Sequence, residues 1–182
     1  MSKSKFLSLT IFLLALVVSG ALVAVAGKMG EEAAGQADRG PVFVADLQPD
    51  TMGMEPVETE AGGCLTMELG DDGRSMSYTL EVEALEDAFM SHLQYGGADD
   101  RYGPIVLWLF PTEGKRQEVV EGRFDGVLAE GVIRAEDLNG PLAGKEIDDL
   151  VQAIEEGKIF ADVHTRRHVP GELRGHLRPV KP

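Results

Sequence analysis

From position 41 onward apolar and polar residues alternate in short runs, mostly with a period of two. Side chains on an extended strand point to opposite faces in turn, so this alternation marks strands half-buried against a core. The pattern predicts strands at 41–47, 64–69 and 75–82, the last with Met76, Tyr78, Leu80 and Val82 on one side. Gly70-Asp71-Asp72-Gly73 supplies the turn between the second and third. Pro41 heads the first run and predicts an edge strand, because proline cannot donate to a ladder. Another strand is predicted at 89–95, followed by a turn at 99–104. The run Ile105-Val106-Leu107-Trp108-Leu109-Phe110 is almost wholly apolar, which predicts a strand buried on both faces or nearly so, with Trp108 in the core. Residues 116–132 alternate once more, and Gly122, Gly126 and Gly131 mark bends or bulges there.

One segment changes period. At 145–156, Ile147, Leu150, Val151 and Ile154 follow helical spacing, three acids crowd the N-terminal end and Gly157 stands as the C-cap. A single further turn is predicted at 135–138. The chain then returns to alternation in two runs, 159–165 and 172–177, joined by a turn containing Pro170 and Gly171. Seven or so short strands with one short crossover helix predict an all-β fold, an antiparallel β-sandwich or barrel of immunoglobulin-like size.

The C-terminal pair of runs is where pattern and chemistry coincide. Ala161, Val163, Leu173 and Leu177 fall on the core side, while Asp162, His164, Glu172, Arg174 and His176 fall on the other. If Thr165 and Gly171 flank the turn, His164 faces Glu172 and Asp162 faces Arg174. That arrangement predicts a salt-bridged ladder with an imidazole at one end, and a carboxyl pKa at Asp162 held down by its arginine.

The 182 residues suit one domain after a leader. Lys3 and Lys5 precede an apolar run at 6–26 that ends in the small-x-small triplet Ala24-Val25-Ala26. This is the form of an export signal cleaved before Gly27; the alternative is an uncleaved anchor, since the run also reaches the roughly 20 residues that span a bilayer. Residues 27–40, rich in glycine, alanine and charge, read as a flexible spacer before a domain at 41–182. Beyond the leader stand 15 basic against 31 acidic residues, a net −16. That balance speaks against nucleic acid or an anionic lipid surface as partner; it suits a solvated acidic surface first, and otherwise cation-rich surroundings or a basic partner, and the partner class expected of the domain is a protein or other extracellular ligand. Cys64 is the one cysteine, so no disulfide forms within the chain; it reads as a small buried hydrophobe.

Several of these pieces together resemble the CHRD domain, first described as a repeat in the developmental regulator chordin. Phe160-x-x-Val163-His164-Thr165 and Pro170-Gly171-Glu172-Leu173-Arg174-Gly175 resemble the family's Y-V-N-V-H-T…P-x-G-E-I-R-G-Q ending. Phe43 to Leu47 with Glu55-Pro56-Val57 and Ala61-x-Gly63 resembles its opening, and Ser91-His92-Leu93-Gln94-x-Gly96 with Gly103-Pro104-Ile105-Val106 its A-H-I-H-x-G…G-P-V-V centre. Gln94 replaces the second histidine of H-x-H, Asp162 replaces an asparagine, and His176 replaces the closing glutamine. The resemblance implies an extracellular, immunoglobulin-like β-barrel or sandwich that binds or supports, with no established catalysis.

Candidate chemistry is narrow. The histidines are His92, His164, His168 and His176. His92 and His164, with Glu172 or Asp162 supplying oxygen, are candidate ligands for zinc or copper. An H-x-H pair on a β-sandwich is similar to the arrangement in copper/zinc superoxide dismutase, a redox alternative to the binding module. The competing structural reading has His164 hydrogen-bonded to Glu172 or to a backbone carbonyl, fixing the hairpin together with Thr165. A hydrolase would need two carboxyl groups sharing a pocket. No nucleophile elbow, P-loop or zinc-protease helix motif occurs. Met52 and Met54, in the long loop at 48–63, could line a contact surface with the charged hairpin face.

Overall fold

The computed structural model describes residues 40–53, 55–111 and 119–181. The apolar leader, all but the last residue of the spacer, Met54 and the first three residues of the run predicted at 116–132 lie outside them. Eight strands are described: β1 Val42–Pro49, β2 Gly62–Leu69, β3 Ser75–Tyr95, β4 Ile105–Phe110, β5 Val120–Arg134, β6 Ile159–Thr165, β7 Leu173–His176 and β8 Arg178–Pro179. Helix α1, Ile147–Glu155, follows two short 3-10 turns at Ala135–Asp137 and Gly140–Leu142. Among the described residues no helix is long and apolar enough to cross a membrane.

All pairings are antiparallel. Strand β3 pairs with β2, β2 with β1, β1 with β7, β7 with β6, and β6 returns to β3, so the sheet closes into a barrel. Along its other edge β3 pairs first with β5 and then with β4. Closure depends on β3, whose first half lies against β2 and whose second half lies against β6. The strand changes direction at Ala84 (φ 55°) and Asp87 (φ 52°), both in the left-handed region. Two aspartates hold these bulges: Asp125 Oδ1 accepts the Ala84 N–H at 2.8 Å, and Asp87 Oδ1 accepts the Gly122 N–H at 2.7 Å. What alternation divides into strands at 75–82 and 89–95 is therefore one bent strand.

The inward faces carry Phe43, Leu47, Leu65, Met67, Leu80, Leu93, Val163 and Leu173, each fully buried. Each such side chain contributes about 1.5–3 kcal/mol by leaving water. Helix α1 adds Ile147, Leu150 and Ile154 from one face. Asp149 accepts the Glu146 N–H at its start, and Gly157 (φ 70°) ends it by donating to Ile154 O.

Three expectations need correcting. Strand β1 is not an edge, because β2 lies on one side and β7 and β8 on the other. Pro41 sits one residue ahead of it and contributes only its carbonyl, which accepts the Leu69 N–H. Cys64 is half-buried rather than buried: the period that sends Leu65 and Met67 inward turns Cys64 out. Trp108 is likewise half-buried, on the outer side of β4.

Candidate functional site

The outer face of β6 is the unusual part of the barrel. Strand register lines up Trp108, His92, Asp162, Arg174 and Gln48 in one row across β4, β3, β6, β7 and β1. One row further, Met90 pairs with His164, and the same register sets Glu172 beside it. On the other side Gln94, Phe160 and His176 form the third row. The pairing of Asp162 with Arg174 is the one the alternation predicts.

The solvated ladder expected there does not form. All seven residues of β6 are buried, outer side chains included. The cover is built from three loops. Glu172, 5% exposed, accepts hydrogen bonds from Thr59 Oγ1 at 2.7 Å and Thr165 Oγ1 at 2.6 Å, which ties loop 50–61 to the hairpin. Arg174 turns away from Asp162. Its Nη1 donates to the carbonyl of Arg101, its Nη2 to that of Asp100, and its guanidinium lies 3.5 Å above the Phe160 ring. That fastens loop 96–104. The turn at 166–171 folds over His164, whose Nδ1 donates to Val169 O at 2.9 Å. No ion pair links Asp162 and Arg174 among the described residues, where the salt bridges are Arg123–Asp125, Lys158–Glu156 and Arg166–Glu121.

Burial also reverses the expected electrostatics of Asp162. Desolvation pushes its carboxyl up to about 7; Arg174 opposes that and Asp50 adds to it. Desolvation, with His164 behind it, pushes His92 down to about 3, and burial lowers His164 too, against the pull of the Val169 carbonyl and Asp50. Both imidazoles are therefore neutral near pH 7.

Sequence reasoning singles out His92 and His164 and offers Glu172 or Asp162 as the oxygen donor. The structure brings His92, Asp162 and His164 together, with one ligand atom of each within 4.8 Å of the others. The imidazole centroids stand 4.7 Å apart, and Trp108 meets His92 edge-on at 5.4 Å. Glu172 is spent on Thr59 and Thr165 instead, and His164 bonds a carbonyl rather than Glu172. Gln94 stands where the H-x-H pattern has its second histidine, and it has a partner of its own in the cluster. Its Nε2 donates to Asp162 Oδ2 at 2.5 Å, while its Oε1 accepts the Gly103 N–H at 2.7 Å. Because an N–H can reach only the amide oxygen, that bond fixes which way Gln94 points. The signal for this role was the shared strand face of His92 and Gln94.

His168 and His176 stay outside the cluster. His176 is half-buried against Phe160 at 5.4 Å. Met52, half-buried, lines a groove of ≈ 310 Å³ with Pro49, Asp50, Ala98 and Arg174, where loops 50–61 and 96–104 meet. Chemically, the cluster offers two neutral imidazoles and one carboxyl group, suited to holding a cation. A family model described as the CHRD domain matches residues 43–177. No curated protein and no solved structure matches the chain.

Proposed function

The chain belongs to the CHRD domain family, and on that footing we propose that it acts outside the cytoplasm as a binding module, recognising a partner rather than turning over a substrate. The leader at 1–26 exports it, by cleavage or as a retained anchor, residues 27–40 act as a spacer, and 41–182 form an immunoglobulin-like domain. One observation carries this reading. Two charged side chains of the C-terminal hairpin are spent in fixing loops: Glu172 secures loop 50–61 and Arg174 secures loop 96–104. A rigid scaffold that holds long loops in one shape lowers the ordering cost of binding, which is how recognition surfaces reach useful affinity.

The chemistry of the held loops supports a basic protein partner. Glu55, Glu58, Glu60, Asp99 and Asp100 are exposed on them, and Tyr102, 57% exposed, offers an aromatic anchor with Arg101 stacked on it at 4.9 Å. A photo-crosslinking residue placed at Tyr102 or Glu58 in cells that export the full chain tests the reading. A discrete adduct from these positions, absent with the probe at Glu130 on β5 and weakened by Glu172→Ala, is expected. No adduct from the loops, or equal adducts from all three positions, contradicts it.

A further inference from the structure

His92 and His164 are 2% and 5% exposed, yet His92 Nδ1 and His164 Nε2 have no hydrogen-bond partner. A buried polar atom left unpaired has lost its hydrogen bonds to water with no replacement, so two side by side call for an explanation. A purely structural network would pair its members. Here none of His92, Asp162 and His164 hydrogen-bonds another; their bonds run outward, to Gln94 and to Val169 O. Since a carbonyl only accepts, His164 Nδ1 carries the proton and Nε2 presents a bare lone pair to the cluster.

We infer that His92, Asp162 and His164 form a binding site for one borderline divalent transition-metal ion, of the zinc(II) or copper(II) class. Two imidazole nitrogens and one carboxylate oxygen suit such ions, whereas calcium and magnesium take oxygen ligands. Donors around a tetrahedral zinc stand about 3.4 Å apart, so the present separation of up to 4.8 Å closes by small side-chain rotations. The scaffold is rigid: His92 and Asp162 are direct cross-strand partners on β3 and β6, and His164 lies two residues further on the same face. A surrounding shell is already in place. Val169 O orients His164, and Gln94, itself locked by the Gly103 N–H, orients Asp162. Asp50 Oδ2 and the His164 ring both lie against Gly171, which places a further carboxyl group beside the cluster. With three protein ligands the ion keeps at least one position for a water held under the loops.

The test uses the full chain purified without a histidine tag, stripped with chelator and dialysed against zinc or copper. One ion per chain is expected, with a raised melting temperature. The ion and the shift are lost in His92→Ala and in Asp162→Asn, and affinity falls 10–100-fold in Gln94→Ala. Cobalt(II) substitution should give the visible spectrum of an ion bound to two imidazoles. Circular dichroism separates a lost site from a lost fold, and if one variant fails to fold the other carries the comparison. Sub-stoichiometric binding by the folded wild-type protein overturns the proposal, as does one ion per chain that persists in either folded variant. The outcome is independent of the crosslinking result, which reads the loops.

Discussion

Replacing Glu172 by alanine removes the carboxylate that joins Thr59, on loop 50–61, to Thr165, at the end of β6. Each hydrogen bond to the charged group contributes about 1.5–3 kcal/mol, and a buried methylene adds about 0.8 kcal/mol. Against this, the variant no longer has to bury an ion, a cost of several kcal/mol that the bonds partly repay. The stranded hydroxyls each still accept a backbone N–H, from Ala61 and from His168. The expected net loss is therefore about 2–4 kcal/mol for Glu172→Ala. Glu172→Gln keeps the shape and one carbonyl oxygen, and should cost about 1–2 kcal/mol. Urea unfolding with unchanged m-values measures both. A double-mutant cycle with Thr59→Val isolates the contact, with an expected coupling of about 1–2 kcal/mol, because the bond from Ala61 to Thr59 cancels in the cycle. Amide exchange at Asp50, Val57 and Ala61 should accelerate in Glu172→Ala while the amides of β3 stay protected. A loss below about 0.5 kcal/mol for Glu172→Ala, or a coupling near zero, refutes the idea that this carboxylate holds the loop.

Other substitutions probe the remaining joints of the barrel. Arg174→Lys should cost about 1.5–3 kcal/mol by urea unfolding and speed proteolysis in loop 96–104, because an ammonium cannot serve both carbonyls and stack flat on Phe160. Leu93→Ala empties a fully buried site on β3 and should cost about 2–5 kcal/mol at unchanged m-value. Burial raises the Tyr78 phenol from 10.0 to about 12. A pKa raised on folding stabilises the protein below the unfolded value, so this contribution, on the order of 2 kcal/mol, is present below pH 10 and lost as pH climbs through 12. In Tyr78→Phe, which also strands the Leu109 carbonyl at about 1–3 kcal/mol, that alkaline slope should flatten.

Most strands, the helix and the pairing of Asp162 with Arg174 were legible because they follow from period, turn residues and register alone. The continuity of β3 was not legible. It depends on two left-handed residues, Ala84 and Asp87, tied across to β5, where Asp125 accepts the Ala84 N–H and Gly122 donates to Asp87, and no local pattern records a partner 41 or 35 residues away. The same limit explains the hairpin. Alternation correctly separates Ala161 and Val163 from Asp162 and His164, but it cannot tell a face open to water from one roofed by distant loops. Hence an ion-paired ladder was expected where desolvated, differently bonded groups stand. Against the H-x-H pattern Gln94 stands out only as a missing histidine, whereas the bonds its amide makes, to Asp162 on β6 and to the Gly103 N–H, are set by register and loop and leave no mark on that pattern.

The roof over the hairpin face is the claim on which the site and the loops both depend, and histidine modification by diethyl pyrocarbonate in chelator tests it directly. In the native protein His168 and His176 should react, while His92 and His164 stay unmodified until unfolding. Labelling of His164 at the rate of His168 would show that face open to solvent and contradict the account.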